Sequence, residues 1–397
     1  MSEQESQSNK KKLRVGLVFG GRSAEHEVSL VSARAVLNAL DPEKYDVTLL
    51  GITREGRWLP LGEVKGQLEA ASTDPAALMS PFNSDPAKSE SVTRTALLPD
   101  PSLRGLPEIN AGQASTGMHF GQPLDVVLPM LHGPYGEDGT MQGLLELANI
   151  PYVGCGVLPS AVGMDKVMAR EVFKQHGLPV LDYYMVKRKD WEHSEGNSRA
   201  ELLSKIEEQI GYPCFIKPVN MGSSVGISKV RNREELAPAL DKACRYDRKI
   251  MIEKGLNPRE LEVAVLGNDD PQASVVGEIL ISHKADFYDY TAKYQDEEVG
   301  FTIPADIPAE LSDRLRAMAV QAFLALDCAG MTRVDFFQDR DSGQVYLNEV
   351  NTIPGFTPVS MYPMMWEKSG LPYRALLDRL IELALERHAD KNRNELR

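Results

Sequence analysis

The sequence predicts an α/β protein that opens with a doubly wound unit and carries an antiparallel hairpin near its C-terminal end. An apolar strand at 13–19 runs into Gly20-Gly21 and then into a helical pattern, which is how a doubly wound unit begins. Much later, two short apolar runs flank the turn-forming segment 338–343, which predicts a β-hairpin. The length of 397 residues is enough for two or three domains.

Composition narrows the classes of function. The formal net charge of −13 argues against a protein that coats nucleic acid, because such proteins carry a basic surplus. Four scattered cysteines form no Cys-x-x-Cys pair, which argues against zinc and against a disulfide framework. The N-terminal residues lack the apolar core of a signal peptide, and no apolar run is long enough to span a membrane. We therefore expect a soluble cytoplasmic protein with neither a nucleic acid nor a membrane as its partner.

The first glycine turn leads into a predicted helix within 22–40. Val28 and Val31 begin a spacing of three and four residues that defines one helical face. The turn is not Gly-x-Gly-x-x-Gly, so it gives little support to a dinucleotide site. Glu25 lies just past the turn and has two interpretations. It is either an acid that favours the first helical turn, or a carboxylate that binds a ligand's ammonium group.

A second candidate follows the next buried strand. His132 lies at the strand end, inside the glycine-rich loop 131–139. A lone histidine is usually structural, but this position at a strand end makes it a candidate for the site. Residues 61–120 are rich in Ala, Ser, Pro and Asp and predict an irregular insertion with a few edge strands. The other elements predicted here are strands at 45–52, 124–130 and 150–156 and a helix at 140–149.

The middle of the chain carries a candidate phosphate site. The small residues of 222–226 lie between two predicted strands and leave backbone N–H groups free to approach phosphate. Lys217, at the end of the first strand, and Lys166 would supply positive charge. The alternative is a plain hairpin turn with surface lysines, and the loop is not a Walker A sequence. The elements predicted around it are helices at 166–176, 198–210 and 232–246 and strands at 213–218, 227–230 and 249–253.

The C-terminal hairpin carries a candidate metal site. Glu349 and Asn351 are two residues apart, so they share one face of a strand, and Asp335 can meet them across the ladder. Two carboxylates and an amide oxygen suit Mg²⁺ that also contacts phosphate. Arg333 should project from the same face. The alternative is a solvated hairpin with ordinary surface charge. Further elements predicted here are strands at 260–266 and 273–281, a lid or surface loop at 287–294, a helix ending near 327 and a C-terminal helix.

Together these stretches resemble the D-alanine–D-alanine ligase family, which has the ATP-grasp fold. The resemblance runs from Gly20-Gly-Arg-Ser-Ala-Glu-His-Glu-Val-Ser29 to Asn351-Thr-Ile-Pro-Gly355. It implies an N-terminal substrate domain at 13–152, followed by two ATP-grasp domains at 153–246 and 247–390. It also implies a homodimer, and a role in making a peptidoglycan precursor.

The resemblance implies how ATP and metal bind. It assigns Lys166 and Lys217 to the phosphates and Glu260 to the ribose. It implies two Mg²⁺ ions, with Mn²⁺ as an alternative, and a bridging role for Glu349. The remaining assignments are Glu253, Lys254 and Leu256 to the adenine, and Asp335 and Asn351 to the metal ions.

The resemblance also implies how D-alanine binds. Glu25 would hold the ammonium group of the first D-alanine, with Ser223 and Tyr294 as its hydrogen-bonded partners. Arg333 and the Gly355 N–H would stabilise a tetrahedral oxyanion. The other implied contacts are His132 near the first D-alanine, Ser360 at the carboxylate of the second, and Lys293 at the transferring phosphate.

Two rival functions remain at this stage. One is a ligase that uses D-lactate or D-serine as its second substrate, although Tyr294 resembles the D-alanine type. The other is a non-catalytic ATP-binding regulator, which would be favoured by loss of Arg333 or a metal ligand. Those residues are all present.

Overall fold

The structure is a computed structural model that describes residues 11–59, 64, 93–95, 97–102, 107–110, 118–120, 123–280 and 300–395. The predicted lid at 287–294, with Lys293 and Tyr294, lies outside the described residues. Within the described part of the chain, no helix combines the length and the apolar character needed to cross a membrane.

The described elements alternate between strands and helices, which confirms the α/β prediction. The strands are β1 (Leu13–Gly20), β2 (Tyr45–Ile52), β3 (Thr93–Thr95), β4 (Pro107–Asn110), β5 (Met118–Phe120), β6 (Val126–Met130), β7 (Tyr183–Lys187), β8 (Cys214–Pro218), β9 (Ser228–Val230), β10 (Lys249–Lys254), β11 (Pro258–Gly267), β12 (Gln272–Leu280), β13 (Gly300–Thr302), β14 (Gly330–Asp339) and β15 (Val345–Asn351). The helices are α1 (His26–Ala39), α2 (Thr140–Leu147), α3 (Val157–Met164), α4 (Lys166–Gln175), α5 (Arg188–Glu192), α6 (Gly196–Gln209), α7 (Arg233–Cys244), α8 (Ala309–Ala325), α9 (Met361–Lys368) and α10 (Tyr373–Lys391).

These strands form four sheets among the described residues. The first is parallel, in the order β2-β1-β6, and β3-β4-β5 form a small antiparallel sheet within the predicted insertion. The second large sheet is antiparallel, in the order β7-β10-β8-β9, and the third is antiparallel, in the order β13-β12-β11-β14-β15. The predicted three-domain division stays a prediction. Strand β10 follows the predicted boundary at 246/247 and is an inner strand of the second large sheet.

The first glycine turn fixes the geometry of the N-terminal sheet. Gly20 has φ of +90°, and a Cβ atom at this position would overlap the carbonyl oxygen of Ile52, so a side chain is excluded. The Gly20 N–H donates to Ser29 Oγ at 2.7 Å, and the same hydroxyl donates to the Met130 carbonyl. Helix α1 is thereby tied to the carboxyl ends of β1 and β6. Glu25 and His132, which follow those two ends, are brought to one edge of the sheet.

One predicted strand is wrong. Residues 150–156 do not form a strand, and only Tyr152 makes an isolated parallel bridge, to Val127. The reason is local, because Pro151 has no N–H to donate and Gly154 has φ of +95°, which a strand does not allow. Helices α3, α5 and α9 were not predicted from the sequence.

The C-terminal helix completes the core of the N-terminal sheet. Leu376 and Leu380 of α10 belong to the same buried cluster as Val15 and Leu17 of β1. Each of these leucine side chains contributes roughly 1.5–3 kcal/mol when fully buried. The two ends of the chain are therefore held together by apolar packing. A separate cluster joins Phe173 of α4 to the third large sheet.

Candidate active site

The predicted hairpin is confirmed, and its register aligns the candidate residues. Asp335 of β14 lies opposite Glu349 of β15, and Arg333 lies opposite Asn351. The register shifts between Asp335 and Phe336, where Asn348 is the extra residue of β15. Directly opposed residues of an antiparallel pair share a face, so the regular pairing up to Asp335 puts Glu349 and Asn351 on the face that carries Asp335.

Arg333 is the buried centre of this face. Its guanidinium donates two hydrogen bonds of 2.7 Å to the Asp335 carboxylate, and its Nε lies 3.1 Å from Glu262 Oε2. Glu262 reaches it from β11, where it lies opposite Asp335. Burial favours the neutral form of Arg333, but the two carboxylates prevail and raise the pKa of Arg333 well above its ordinary value. Sequence reasoning missed Glu262, although the Glu260-x-Glu262 alternation on a strand could have indicated it.

Lys166 joins the hairpin to the candidate phosphate loop. Its Nζ lies 3.2 Å from Glu349 Oε2 and donates to the Met221 carbonyl at 2.9 Å. Burial disfavours the charged form of Glu349, but Lys166, Lys217 and Arg333 outweigh it and lower its pKa to about 2. The Glu349 carboxylate is therefore ionised at neutral pH.

The donor set on this face fits a hard divalent cation. Asp335 and Glu349 are cross-strand partners, and Asn351 Nδ2 donates to Asp335 Oδ2 at 2.9 Å, which places the Asn351 side-chain amide beside both carboxylates. Among the described residues no group of three His, Cys, Asp or Glu side chains could hold a metal, but the predicted set needs only two carboxylates and an amide oxygen. An ion bound here would share the two carboxylates with Arg333 and Lys166.

A second cluster of charged side chains joins α4, β8 and β10. Glu253 accepts from Arg170 Nη2 at 2.5 Å and pairs with Lys217 through its other oxygen. All three residues are buried. Burial lowers the pKa of Lys217, and the Glu253 charge only partly opposes this effect. For Glu253, burial would raise the pKa, but the charges of Arg170 and Lys217 outweigh burial, and the pKa of Glu253 is lowered. Arg170 was missed because nothing in the local sequence places it against β10.

The predicted partners Glu25 and Ser223 meet. Ser223 Oγ donates to Glu25 Oε1 at 2.5 Å, joining the N-terminal sheet to the loop at 222–226. Ser223 and Ser224 have φ of +47° and +59°, which costs backbone energy and favours a loop held by such contacts. Gly133 and Gly222 both lie against Glu25, since a Cβ atom at either position would be 2.7 or 2.8 Å from Oε2. The carboxylate is thus enclosed by two loops, 131–139 and 222–226.

His132 lies against the segment that follows β15. Its Nδ1 is 3.0 Å from the Ile353 carbonyl oxygen, and its Nε2 is 3.0 Å from Ser32 Oγ. Both contacts are to the protein, so its role toward D-alanine stays a prediction. Farther along, Gly355 approaches Ser360, whose Oγ would be 3.0 Å from a Cβ atom on that glycine. The Thr357 N–H donates to Ser360 Oγ at 3.0 Å, just before α9 begins.

Residues assigned to the adenine and to the ribose lie around the connection between β10 and β11. Lys254 is exposed at the end of β10, and Leu256 is half-buried in the connection. Glu260 lies on β11 opposite Phe337 and Ile279. Their contacts with ATP stay predictions.

Glu137 is a site residue that sequence reasoning missed. Its Oε2 accepts from the Gly133 N–H at 2.7 Å and its Oε1 accepts from the Ile353 N–H at 3.0 Å. Burial and the nearby Glu25 charge raise the pKa of Glu137 to about 8. The carboxyl group therefore carries a proton at neutral pH in the ligand-free protein.

This shift predicts a pH dependence of stability. A carboxyl whose pKa is raised from 4.5 to about 8 stabilises the fold fully below pH 4.5, and that contribution is lost as the pH rises through 8. Between pH 5.5 and 8.5 we expect the free energy of unfolding to fall by about 3 kcal/mol more in the natural protein than in Glu137→Gln. Urea unfolding of both proteins at the two pH values measures this difference. Parallel pH dependences would contradict it.

The chain matches known families along most of its length. Residues 14–155 match the family model described as D-ala D-ala ligase N-terminus, and residues 172–382 match the one described as D-ala D-ala ligase C-terminus. A D-alanine–D-alanine ligase from Heliobacterium modesticaldum is 48% identical over 380 residues, which cover 96% of this chain and 96% of that protein.

Two solved structures have a similar fold. The VanG D-Ala:D-Ser ligase from Enterococcus faecalis has a TM-score of 0.76 and 36% identity, covering 94% of this chain and 100% of its own. The D-alanine–D-alanine ligase from Coxiella burnetii has a TM-score of 0.75 and 35% identity, covering 96% of each chain.

Proposed function

Because the chain belongs to the D-alanine–D-alanine ligase family, with the ATP-grasp fold and ATP-dependent joining of two D-alanines as its activity, we propose a route through an acylphosphate. The observation that carries this route is the position of Lys166, which contacts both Met221, the residue before the phosphate loop, and Glu349. The Lys166 ammonium group thereby connects the groups suited to binding phosphate with the groups suited to binding a metal ion. A carboxylate is a poor electrophile, and phosphorylation is what makes its carbonyl reactive.

Binding of the first D-alanine uses Glu25. Its carboxylate pairs with the ammonium group, Ser223 holds that carboxylate in place, and His132 lines the same pocket. Tyr294 is proposed as a second hydrogen-bonding partner of Glu25. The support is the short Ser223–Glu25 hydrogen bond and the enclosure of Glu25 by two loops.

ATP binding uses the buried cations. Lys166 and Lys217 hold the phosphates, and Lys293 is the third lysine proposed for the transferring phosphate. Asp335, Glu349 and Asn351 would hold two Mg²⁺ ions, or Mn²⁺, whose charge would offset that of the phosphates when bound. The nucleotide contacts are Glu253, Lys254 and Leu256 at the adenine, and Glu260 at the ribose.

The chemistry has two steps. A carboxylate oxygen of the first D-alanine attacks the γ-phosphorus of ATP, and ADP leaves. The neutral amine of the second D-alanine, whose carboxylate lies at Ser360, then attacks the acylphosphate carbonyl. Arg333 and the Gly355 N–H stabilise the oxyanion, and phosphate leaves as the amide bond forms. The support for Arg333 is its burial and its bidentate contact with Asp335, which fix the guanidinium in one position.

The proposed setting is the cytoplasm, where the dipeptide would supply peptidoglycan synthesis and the enzyme would be a homodimer. The four cysteines are free and buried, as suits a reducing compartment.

The test is product analysis with Mg²⁺ and ATP. We expect ADP, phosphate and D-alanyl-D-alanine with D-alanine, and no product with L-alanine. Mixtures of D-alanine with D-lactate or D-serine, resolved by mass, measure the choice of second substrate. Formation of a depsipeptide or of D-alanyl-D-serine in preference to D-alanyl-D-alanine would show that the enzyme prefers D-lactate or D-serine as its second substrate. ATP binding without phosphate release would refute the route.

A further inference from the structure

The segment from Ile353 to Phe356 is held at both ends by other parts of the chain. At one end, the Ile353 N–H donates to Glu137 Oε1 at 3.0 Å, and the Ile353 carbonyl oxygen lies 3.0 Å from His132 Nδ1. Both side chains belong to the loop after β6. The N–H and the carbonyl of Ile353 belong to the two peptide units that flank its Cα, so one hydrogen bond holds each of these two planes.

The other end is held as firmly. The Phe356 N–H donates to Ser32 Oγ at 3.4 Å, and its carbonyl oxygen accepts from the Tyr373 hydroxyl at 2.6 Å. The Phe356 ring is fully buried, 5.5 Å from the Tyr373 ring centre. Gly355 therefore lies between two immobilised residues, and its N–H direction is set by them.

Glu137 is the residue that connects this segment to the Glu25 pocket. Its second oxygen accepts from the Gly133 N–H at 2.7 Å, and Gly133 lies directly against the Glu25 carboxylate. We propose that Glu137 is a positioning residue that sets the Gly355 N–H against the carbonyl of the first D-alanine bound at Glu25. This inference rests on the proposed function, because Gly355 and Glu25 have these tasks only in that route.

Loss of Glu137 should therefore impair the attack of the second D-alanine on the acylphosphate, but not the phosphorylation of the first D-alanine by ATP. Phosphoryl transfer uses Lys166, Lys217 and the carboxylates of Asp335 and Glu349, whereas the hydrogen bonds of Glu137 in the described structure are to Gly133 and Ile353. Loss of support at Gly133 would weaken the Glu25 pocket and raise KM for the first D-alanine, which lowers both products equally and leaves ADP per dipeptide at one.

Attack by the amine needs the oxyanion to be stabilised. If Gly355 is displaced, the acylphosphate persists and water attacks its phosphorus, a reaction that forms no oxyanion at the carbonyl carbon. The bond between phosphorus and the acyl oxygen breaks, the D-alanine carboxylate is restored, and the water's oxygen and protons leave with the inorganic phosphate.

The test is the number of ADP molecules formed per dipeptide in Glu137→Gln. The glutamine amide has one oxygen, so it cannot accept from both N–H groups. We expect dipeptide turnover to fall by about 10-fold or more, with ADP per dipeptide rising from one to two or more and with KM for ATP unchanged.

Asp138→Asn is the matched control. Asp138 is in the same loop and also accepts from two backbone N–H groups, those of Tyr135 at 2.8 Å and Thr140 at 3.0 Å. Both contacts are local, so this variant tests disturbance of the loop alone. We expect its ADP per dipeptide to stay at one.

Two outcomes overturn the proposal. One is a ratio of one in Glu137→Gln, whether or not turnover falls, because a purely structural residue lowers both products equally. The other is an equal rise in Asp138→Asn. If Glu137→Gln does not fold, Glu137→Asp replaces it, since its carboxylate is one methylene too short to reach both N–H groups, and a ratio of one there also overturns the proposal. Absence of dipeptide from the natural protein would instead refute the proposed function.

Discussion

Replacing Arg333 by lysine should reduce dipeptide formation by about 10²–10³-fold, the range found when one oxyanion donor is removed. Lysine keeps the positive charge but cannot make the two parallel hydrogen bonds to Asp335 while also approaching Glu262. The positive charge would remain near the site, but the N–H donors would no longer be held in a fixed orientation. Steady-state rates of ADP and dipeptide formation measure the effect.

Arg259→Lys is the control for this variant. Arg259 lies on the same sheet and makes two hydrogen bonds to Glu278, of 2.7 and 2.6 Å, away from Asp335 and Glu349. It should lose some stability and little activity. Turnover in Arg333→Lys equal to that in Arg259→Lys would contradict an oxyanion role for Arg333.

Replacing Glu253 by glutamine should lower the free energy of unfolding by about 3–5 kcal/mol, because it leaves two buried cations without their shared carboxylate. Arg170 and Lys217 both contact Glu253 in a region that excludes water. Urea unfolding followed by circular dichroism measures the loss. Glu171→Gln, on the exposed side of α4, should cost less than about 1 kcal/mol.

A double variant sharpens this prediction. The double variant Lys217→Met with Glu253→Gln removes one of the two buried positive charges that Glu253→Gln alone leaves without the carboxylate. It should therefore be more stable than Glu253→Gln alone, although it lacks two ionised groups instead of one. A double variant that is less stable by the sum of two single losses would show that the cluster does not act as one unit.

The local elements could be predicted because their signals lie within a few residues. The helix predicted at 166–176 is confirmed as α4, whose first turn is capped by Asp165, which accepts from the Met168 N–H at 3.1 Å. The hairpin was predicted from two apolar runs and a turn, and period two placed Glu349 and Asn351 on one face. The strand at 150–156 failed although its apolar residues are buried, because burial does not require pairing when Pro151 and Gly154 interrupt the ladder.

The sequence by itself determined the α/β class, the glycine turn before α1, the hairpin with its paired acids and the family, since each is written in neighbouring residues or in motifs that keep their order. Only the tertiary structure decided what those residues contact. Glu137 holds Ile353, Arg170 reaches Glu253, and Glu262 meets Arg333 across β11 and β14. These partners are 216, 83 and 71 positions apart in the sequence. Side chains so distant are brought together by the packing of whole sheets, and no local period or spacing encodes that approach.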